Sequence, residues 1–251
     1  MPMTDTQELI EKAANIILNS SPVIALTGAG ISVESGIPDF RGKGGLWYRY
    51  NPDEYATINA FISEPEKVWK MLREMDELIL KAKPNRAHTG LAQLEKMGLL
   101  QYIITQNVDN LHQAGGSENV IEYHGNSTTL LCLYCNSRYS RDEFEGQTVP
   151  VCGCGKILKP DVVFFGEAIP QEALEQSFQL ASSAHALLVV GTSATVSPAN
   201  YIPTMAKKND ATIIEINLER TFLTDSITDI FIKGEAGDVM SRMVELISTW
   251  I

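Results

Sequence analysis

Val23-Ile24-Ala25-Leu26-Thr27-Gly28-Ala29-Gly30-Ile31-Ser32 is the stretch that decides the fold class. Pro22 opens a short, continuously apolar strand, and the strand runs straight into a Gly-x-Gly turn. A strand without polar alternation is buried on both faces, the pattern of a parallel sheet covered by helices. Glycines at its end let a backbone approach a ligand, and the amides of the following turn can cradle a pyrophosphate. The dinucleotide fingerprint is incomplete, because Val33 stands where its third glycine would be. No acidic residue ends a second strand about 20 positions later either. A nucleotide site and a plain strand-to-helix turn both stay open on this motif alone.

Outward from it, similar buried-strand signals recur at residues 102–105, 186–190 and 212–216. Helical patterns separate several of them. Residues 4–19 place Leu9, Ile10, Ala13, Ile16 and Ile17 on one face, and further helices are expected at 87–97, 171–184, 200–208 and from 237 to the end. Apolar strands alternating with helices predict an α/β fold with a doubly covered parallel sheet. Two stretches break the alternation: residues 42–84, with one clear helix at 65–82, and residues 128–160, short-stranded and cysteine-bearing. Both read as insertions into one α/β core, with no internal repeat and no low-complexity linker.

At 251 residues, 44% hydrophobic and 20% charged, the composition excludes a disordered or collagen-like chain. A core of that size needs no disulfide staples. Twenty Lys+Arg against 31 Asp+Glu give a net charge of −11, with no basic run, so general nucleic-acid binding is excluded. Cationic partners, Lys-rich peptides among them, are favoured instead. Met1 to Asp5 shows no basic segment leading into an apolar stretch, and the longest apolar runs are far too short to span a bilayer. The expectation is a cytoplasmic protein that binds no membrane and whose four cysteines serve something other than disulfides.

Five further segments carry candidate chemistry. Glu34 to Gly42 lacks apolar periodicity and presents Asp39, Phe40 and Arg41 beside the phosphate turn, where Arg suits a phosphate oxygen by charge and fork geometry. Gln106-Asn107-Val108-Asp109-Asn110-Leu111-His112 follows a strand, so its amides and carboxylate can position an amide-bearing ring and sugar hydroxyls. Asp109 is equally suited to cap the next helix. In Glu122-Tyr123-His124-Gly125-Asn126, His124 has the strand-end position and glycine neighbour of a general base. His88, His112 and His185, within helical segments, read as structural. Cys132-x-x-Cys135 and Cys152-x-Cys154, sixteen residues apart, give the zinc-ribbon pattern, and four thiolates make a closed structural site. Gly191-Thr192-Ser193, and Asn217 with Glu219, lie at late strand ends that can take phosphate and ribose.

Taken together, these segments resemble the sirtuins, the silent-information-regulator family of NAD-dependent protein deacylases. The likeness runs through GAGISVESGIPDFRG (28–42), PNRAH (84–88), TQNVDNLH (105–112), YHGN (123–126), the four cysteines, KPDVVFFGE (159–167), GTSATVSPA (191–199) and EIN (215–217). The resemblance implies a Rossmann-like domain of residues 1–42, 85–127 and 161–251. It also implies a small domain made of a helical insertion at 43–84 and a zinc-ribbon insertion at 128–160, with peptide bound in the cleft between. NAD as co-substrate would be held by Gly28, Ala29, Gly30, Ser32, Asp39, Phe40, Arg41, Gln106, Asn107, Val108, Asp109, Gly191, Thr192, Ser193, Asn217, Leu218, Glu219 and Ala236. Catalysis would fall to His124, Asn107 and Asp109. Val162, Phe164, Phe165, Gly166, Glu167 and Val196 would contact an acetyl-lysine protein or peptide, adding its backbone as a strand. Cys132, Cys135, Cys152 and Cys154 would bind one structural zinc ion.

The implied reaction is deacetylation. The acetyl oxygen captures the ribose C1′ as nicotinamide leaves, His124 helps deprotonate the ribose, and lysine and O-acetyl-ADP-ribose are released. Phe40 and Phe164 would wall the acyl pocket against water. Members that remove succinyl or malonyl groups carry a Tyr and an Arg three positions apart on the helix after the cofactor loop. Leu72 and Met75 stand there, and the bidentate carboxylate partner is lost. Neutral acyl groups are expected, acetyl first. A protein mono-ADP-ribosyltransferase and a non-catalytic NAD- or ADP-ribose-sensing protein are the alternatives.

Overall fold

The computed structural model describes residues 5–40, 42 and 45–251. Its strands are β1 (Val23–Thr27), β2 (Tyr102–Thr105), β3 (Val120–Glu122), β4 (Gly125–Leu131), β5 (Arg138–Ser140), β6 (Lys159–Val162), β7 (Ala186–Val190), β8 (Thr212–Asn217) and β9 (Ile230–Lys233). Six of them form one parallel sheet in the order β3-β2-β1-β7-β8-β9. The chain builds outward from β1 to β3, then returns to the other side of β1 as β7. The strand order therefore reverses between β1 and β7, the switch point at which open α/β sheets bind ligands.

The helices are α1 (Asp5–Asn19), α2 (Leu46–Arg49), α3 (Pro52–Tyr55), α4 (Ile58–Ser63), α5 (Pro65–Lys81), α6 (Arg86–Lys96), α7 (Leu111–Ala114), α8 (Gln171–Ser183), α9 (Tyr201–Lys208) and α10 (Ala236–Trp250). One apolar cluster joins Ile10, Ile17, Leu91, Leu94, Met240 and Ile247 of α1, α6 and α10 to Val23 and Ala25. The other joins Ala181, Ile202 and Ala206 of α8 and α9 to Ile24 and Leu26. Successive residues of β1 thus point into opposite cores, which is why that strand shows no alternation.

Residues 42–84 hold more helix than periodicity showed. Besides α5 there are three helices of four to six residues, α2, α3 and α4. Segments that short show no 3.6-residue period, and their signals are caps: the Asn51 side chain accepts from Asp53 N–H and the Thr57 side chain from Ala60 N–H. Strand β9 was not expected either, although β2, also of four residues, was. His185, expected within a helix, lies exposed in the turn between α8 and β7.

The second insertion folds as an antiparallel sheet in the order β5-β4-β6. It shares one apolar cluster with the first, in which Phe61, Val68 and Trp69 pack with Leu130, Leu158 and Phe164. The Trp69 indole N–H donates to the Leu158 carbonyl at 2.8 Å, so a fully buried ring meets its one polar demand. At roughly 1.5–3 kcal/mol per large apolar side chain, this cluster binds the two insertions together.

The loops after β1 and β7 touch backbone to backbone. Gly30 N–H donates to the Gly191 carbonyl at 2.8 Å. A Cβ on Gly30 would lie 2.7 Å from that oxygen, and one on Gly191, whose φ is +60°, would lie 2.3 Å from Ile31 N. Gly191→Ala is therefore expected to lose at least about 2 kcal/mol from left-handed strain and displaced backbone, read by denaturant unfolding. An unaltered midpoint would show that the two loops can separate at no cost.

Candidate active site

The segments around Gly28, Gln106, His124, Gly191 and Asn217 lie at or just beyond the carboxyl ends of parallel strands, while the cysteines and the 162–167 loop belong to the antiparallel sheet. After β1 the chain enters a 3-10 helix, Ala29–Ser35, which buries Ile31 and Ser32. Asn85 holds this turn from α6, its side-chain N–H groups reaching the Ile31 carbonyl at 2.7 Å and Ser35 Oγ at 3.0 Å. His88 closes the α6 capping box by accepting the Asn85 backbone N–H.

Ser32 is the centre of a buried polar network. Its hydroxyl donates to Asp109 Oδ2 at 2.7 Å and accepts from Asn107 Nδ2 at 3.1 Å. Asn107 Nδ2 also donates to the Gly28 carbonyl at 3.2 Å. The other Asp109 oxygen accepts the Leu111 N–H at 3.0 Å. The capping and site readings of Asp109 are thus both realised, one on each oxygen. Below lie His88 and His112, their rings stacked edge-to-face at 5.0 Å. Burial holds their pKa values down, at about 4 and about 3, so both are neutral at pH 7.

Gln106 and Thr192 tie the remaining strand ends together. The Gln106 amide donates to Thr192 Oγ1 at 3.0 Å, and Asn217 Nδ2 donates to the Thr192 carbonyl at 3.0 Å. Asn217 Oδ1 accepts the Leu218 N–H, while Leu218, Glu219 and Ser193 are exposed. Ala236 is buried at the start of α10, next to Gly237, whose N–H donates to Glu34 at 2.7 Å.

His124 stands apart from the structural histidines. Its Nδ1–H donates to the Gln106 carbonyl at 3.0 Å, which fixes the tautomer and leaves the lone pair on Nε2. Burial lowers its pKa, so the ring is a neutral base near pH 7. The His124 carbonyl accepts the Val163 N–H at 2.8 Å and thereby joins the histidine to the 162–167 loop.

Within that loop the residues divide. Phe164 is buried against Phe61, with ring centroids 5.7 Å apart, and so packs inside the insertion cluster rather than walling an open pocket. Phe165 is the exposed ring, 6.4 Å from Trp47, which in turn packs against Phe40 at 5.1 Å. Val162 and Val196 are half-buried and Gly166 exposed. Glu167 accepts from Lys159 Nζ at 3.0 Å and from the Phe164 N–H at 2.8 Å. Asp39 accepts the Gly42 N–H at 2.9 Å; Arg41 lies outside the described residues.

The sulfurs of Cys132, Cys135, Cys152 and Cys154 all lie within 4.8 Å of one another. Two of the separations, 3.6 and 3.5 Å, far exceed a disulfide bond and approach the roughly 3.8 Å edge of a tetrahedron with Zn–S bonds of about 2.3 Å. An all-thiolate tetrahedral donor set fits one structural zinc ion, including at the C-x-C turn.

Sequence reasoning missed Trp47, Lys159 and Glu215. Glu215 did leave a signal, a carboxylate inside an apolar strand. It is fully buried and accepts hydroxyl bonds from Thr221, Thr224 and Thr228 at 2.6, 2.7 and 2.8 Å, pinning the loop that follows Glu219.

The profile of the Sir2 family matches residues 28–198. The chain belongs to the Sir2 family. It is 47% identical to an NAD-dependent protein deacylase of Pyrococcus abyssi, over 94% of this chain and 97% of that protein. A Sir2 homologue solved with 2'-O-acetyl ADP ribose superposes with a TM-score of 0.90 at 43% identity, covering 96% of this chain and 97% of that one. A Sir2 complex with a p53 peptide and NAD superposes at 0.88 with 36% identity, covering 96% and 99%. The Sir2 fold expected from the motifs, a Rossmann-like sheet carrying a cysteine-cluster insertion, is the one observed.

For this Sir2 chain the pH dependence has a definite sign. The pKa values of His88 and His112 are lowered on folding from 6.5, so the unfolded state binds more protons below that value. Stability is full above pH 6.5 and is lost as pH falls toward 4, and a His112→Gln variant should lose less over that interval in denaturant titrations. The acid limb of activity, set by His124, should lie below 6.5 in a pH profile of kcat/KM. Metal analysis should find one zinc per chain, and stripping it with a chelator should unfold the β5-β4-β6 sheet and abolish activity.

Proposed function

We propose that this Sir2 chain is an NAD-dependent protein lysine deacetylase, which transfers the acetyl group of acetyl-lysine to ADP-ribose with release of nicotinamide and O-acetyl-ADP-ribose. The observation that carries the assignment is His124, its tautomer fixed by Nδ1–H bonding to the carbonyl of Gln106, the residue before Asn107. NAD, when bound, supplies the acyl acceptor and nicotinamide as the leaving group. Donors for it converge at the switch point: the backbone around Gly28, Ala29 and Gly30, the side chains of Ser32, Gln106 and Asn107, the Gly191-Thr192-Ser193 turn, Asn217 to Glu219, and Ala236. Asp39, Phe40, Val108 and Asp109 line the nicotinamide end. His124 Nε2 receives the proton of a ribose hydroxyl, a step worth about 10²–10⁴-fold.

The division of the chain into a large lobe (1–42, 85–127, 161–251) and a small lobe (43–84, 128–160) belongs to this reading, with the peptide in the cleft along Val162, Phe165, Gly166 and Val196. The small lobe's shared cluster around Trp69 supports it, as does the p53 peptide bound to the Sir2 relative. The targets are acetyl-lysine proteins or peptides, consistent with the net charge of −11. Among the described residues no helix is long and apolar enough to cross a membrane. Four unpaired cysteines forming a thiolate site suit a reducing compartment, the cytoplasm.

Acetyl is the preferred acyl group. Leu72 and Met75 lie in an apolar cluster with Phe40, Trp47 and Tyr50, and the nearby Arg73 turns away to donate to the Gln147 carbonyl at 2.9 Å. An acetyl-lysine peptide followed by mass spectrometry should lose its acetyl group only with NAD, and His124→Ala should slow this about 10²–10⁴-fold. A matched succinyl peptide should react more slowly. NAD consumption with ADP-ribose appearing on protein, and no deacetylation, would establish a transferase instead. Binding of NAD with neither reaction would leave a sensing protein.

A further inference from the structure

Lys159 is a charged side chain where one is costly, 2% exposed within the insertion core. Its ammonium has three N–H groups and three acceptors: the Pro160 carbonyl at 3.1 Å, the Val162 carbonyl at 2.6 Å and Glu167 Oε2 at 3.0 Å. It also lies 4.7 Å from the centre of the Phe164 ring. Every one of these partners belongs to residues 160–167. The same Glu167 oxygen accepts the Phe164 N–H, closing the segment on itself. Both ends of the curled segment then reach other parts of the site. Val163 N–H donates to the His124 carbonyl at 2.8 Å, and Phe165 N–H donates to Ala56 O at 2.9 Å while its own carbonyl accepts from Ile58 N–H at 3.0 Å.

We propose that Lys159 is a positioning residue for substrate: paired with Glu167, it sets the shape of the 162–166 edge on which the acyl-lysine peptide lies and holds that edge in register with His124. Glu167 acts through Lys159 and the loop backbone, and does not read the peptide directly. This rests on the assignment of the peptide to that loop. The Glu167 charge is already balanced by the ammonium, which weakens its pull on a peptide cation, and the lysine's three donors are all spent within the loop. Removing the ammonium frees the Val162 carbonyl next to the backbone bond that joins the loop to His124. A misplacement of about 1 Å there is enough to cost up to about 100-fold.

The test is steady-state kinetics on Lys159→Met, Glu167→Gln, the double variant and Phe165→Ala, with the KM for acetyl peptide and for NAD measured separately. Lys159→Met should raise the peptide KM about 10–100-fold and leave the NAD KM within about twofold of the parent. The Glu167→Gln defect should be absorbed in the Lys159→Met background, because the two residues form one unit. Glu167→Gln alone, which keeps an acceptor for Phe164 N–H, should weaken peptides with Lys, Ala or Glu at flanking positions equally, and it decides the matter if Lys159→Met fails to fold. A loss confined to Lys-flanked peptides, defects that multiply in the double variant, or an equal rise in both KM values would overturn the proposal. An impaired Phe165→Ala enzyme beside a normal Lys159→Met enzyme would overturn the lysine's role alone. An unaltered peptide KM in Phe165→Ala would remove the peptide from this loop and overturn both readings.

Discussion

Backbone contact between the loops that follow β1 and β7 is the constraint on which the site depends. Where these two loops come this close, Thr192 serves three neighbours, taking the Gln106 amide on its hydroxyl and the Asn217 amide on its carbonyl while adjoining Gly28. Four strand ends are thereby locked into one surface. Buried donors and acceptors left unpaired each cost about 1–3 kcal/mol, so the network around Ser32, Asn107 and Asp109 tolerates few alternative arrangements.

Much of this was legible in the sequence, and the parts that were not share a cause. Strand β1 could be read because both of its faces are buried, which leaves a short apolar run unbroken by any polar residue. The motifs at Gln106 and His124 were visible because amides, carboxylates and a histidine after apolar strands have no packing role to fill. Pairings between distant segments left no trace. Nothing in the spelling of Lys159-Pro160-Asp161 says that the lysine is buried, and nothing in Phe164-Phe165 says which ring turns inward. Helices α2, α3 and α4 were hidden because four to six residues do not complete enough turns to show a period.

The small-lobe cluster shows how two insertions separated in sequence become one body. Trp69 from the helical segment packs with Leu130 of β4 and with Leu158, just before β6, and its indole N–H finds a carbonyl in the other insertion. Cys132 and Cys152 are buried in the same cluster as Trp69, so thiolates and tryptophan brace one region of a three-stranded sheet too small to be stable alone.

The antiparallel sheet that carries the cysteines begins at Gly125 in β4 and ends at Val162 in β6, and these two residues pair directly. Its entry and exit are therefore one point in space, fixed by the strands and not by the length of what lies between. Closing a longer loop across the same gap costs only about 0.6 kcal/mol per doubling. The exposed stretch around Glu145 and Gly146, between the two cysteine pairs, is then free to lengthen, shorten or change composition over descent without displacing the histidine one residue before Gly125, whereas Leu133, Tyr134 and Val151 sit within or beside pairs whose spacing the thiolate site fixes.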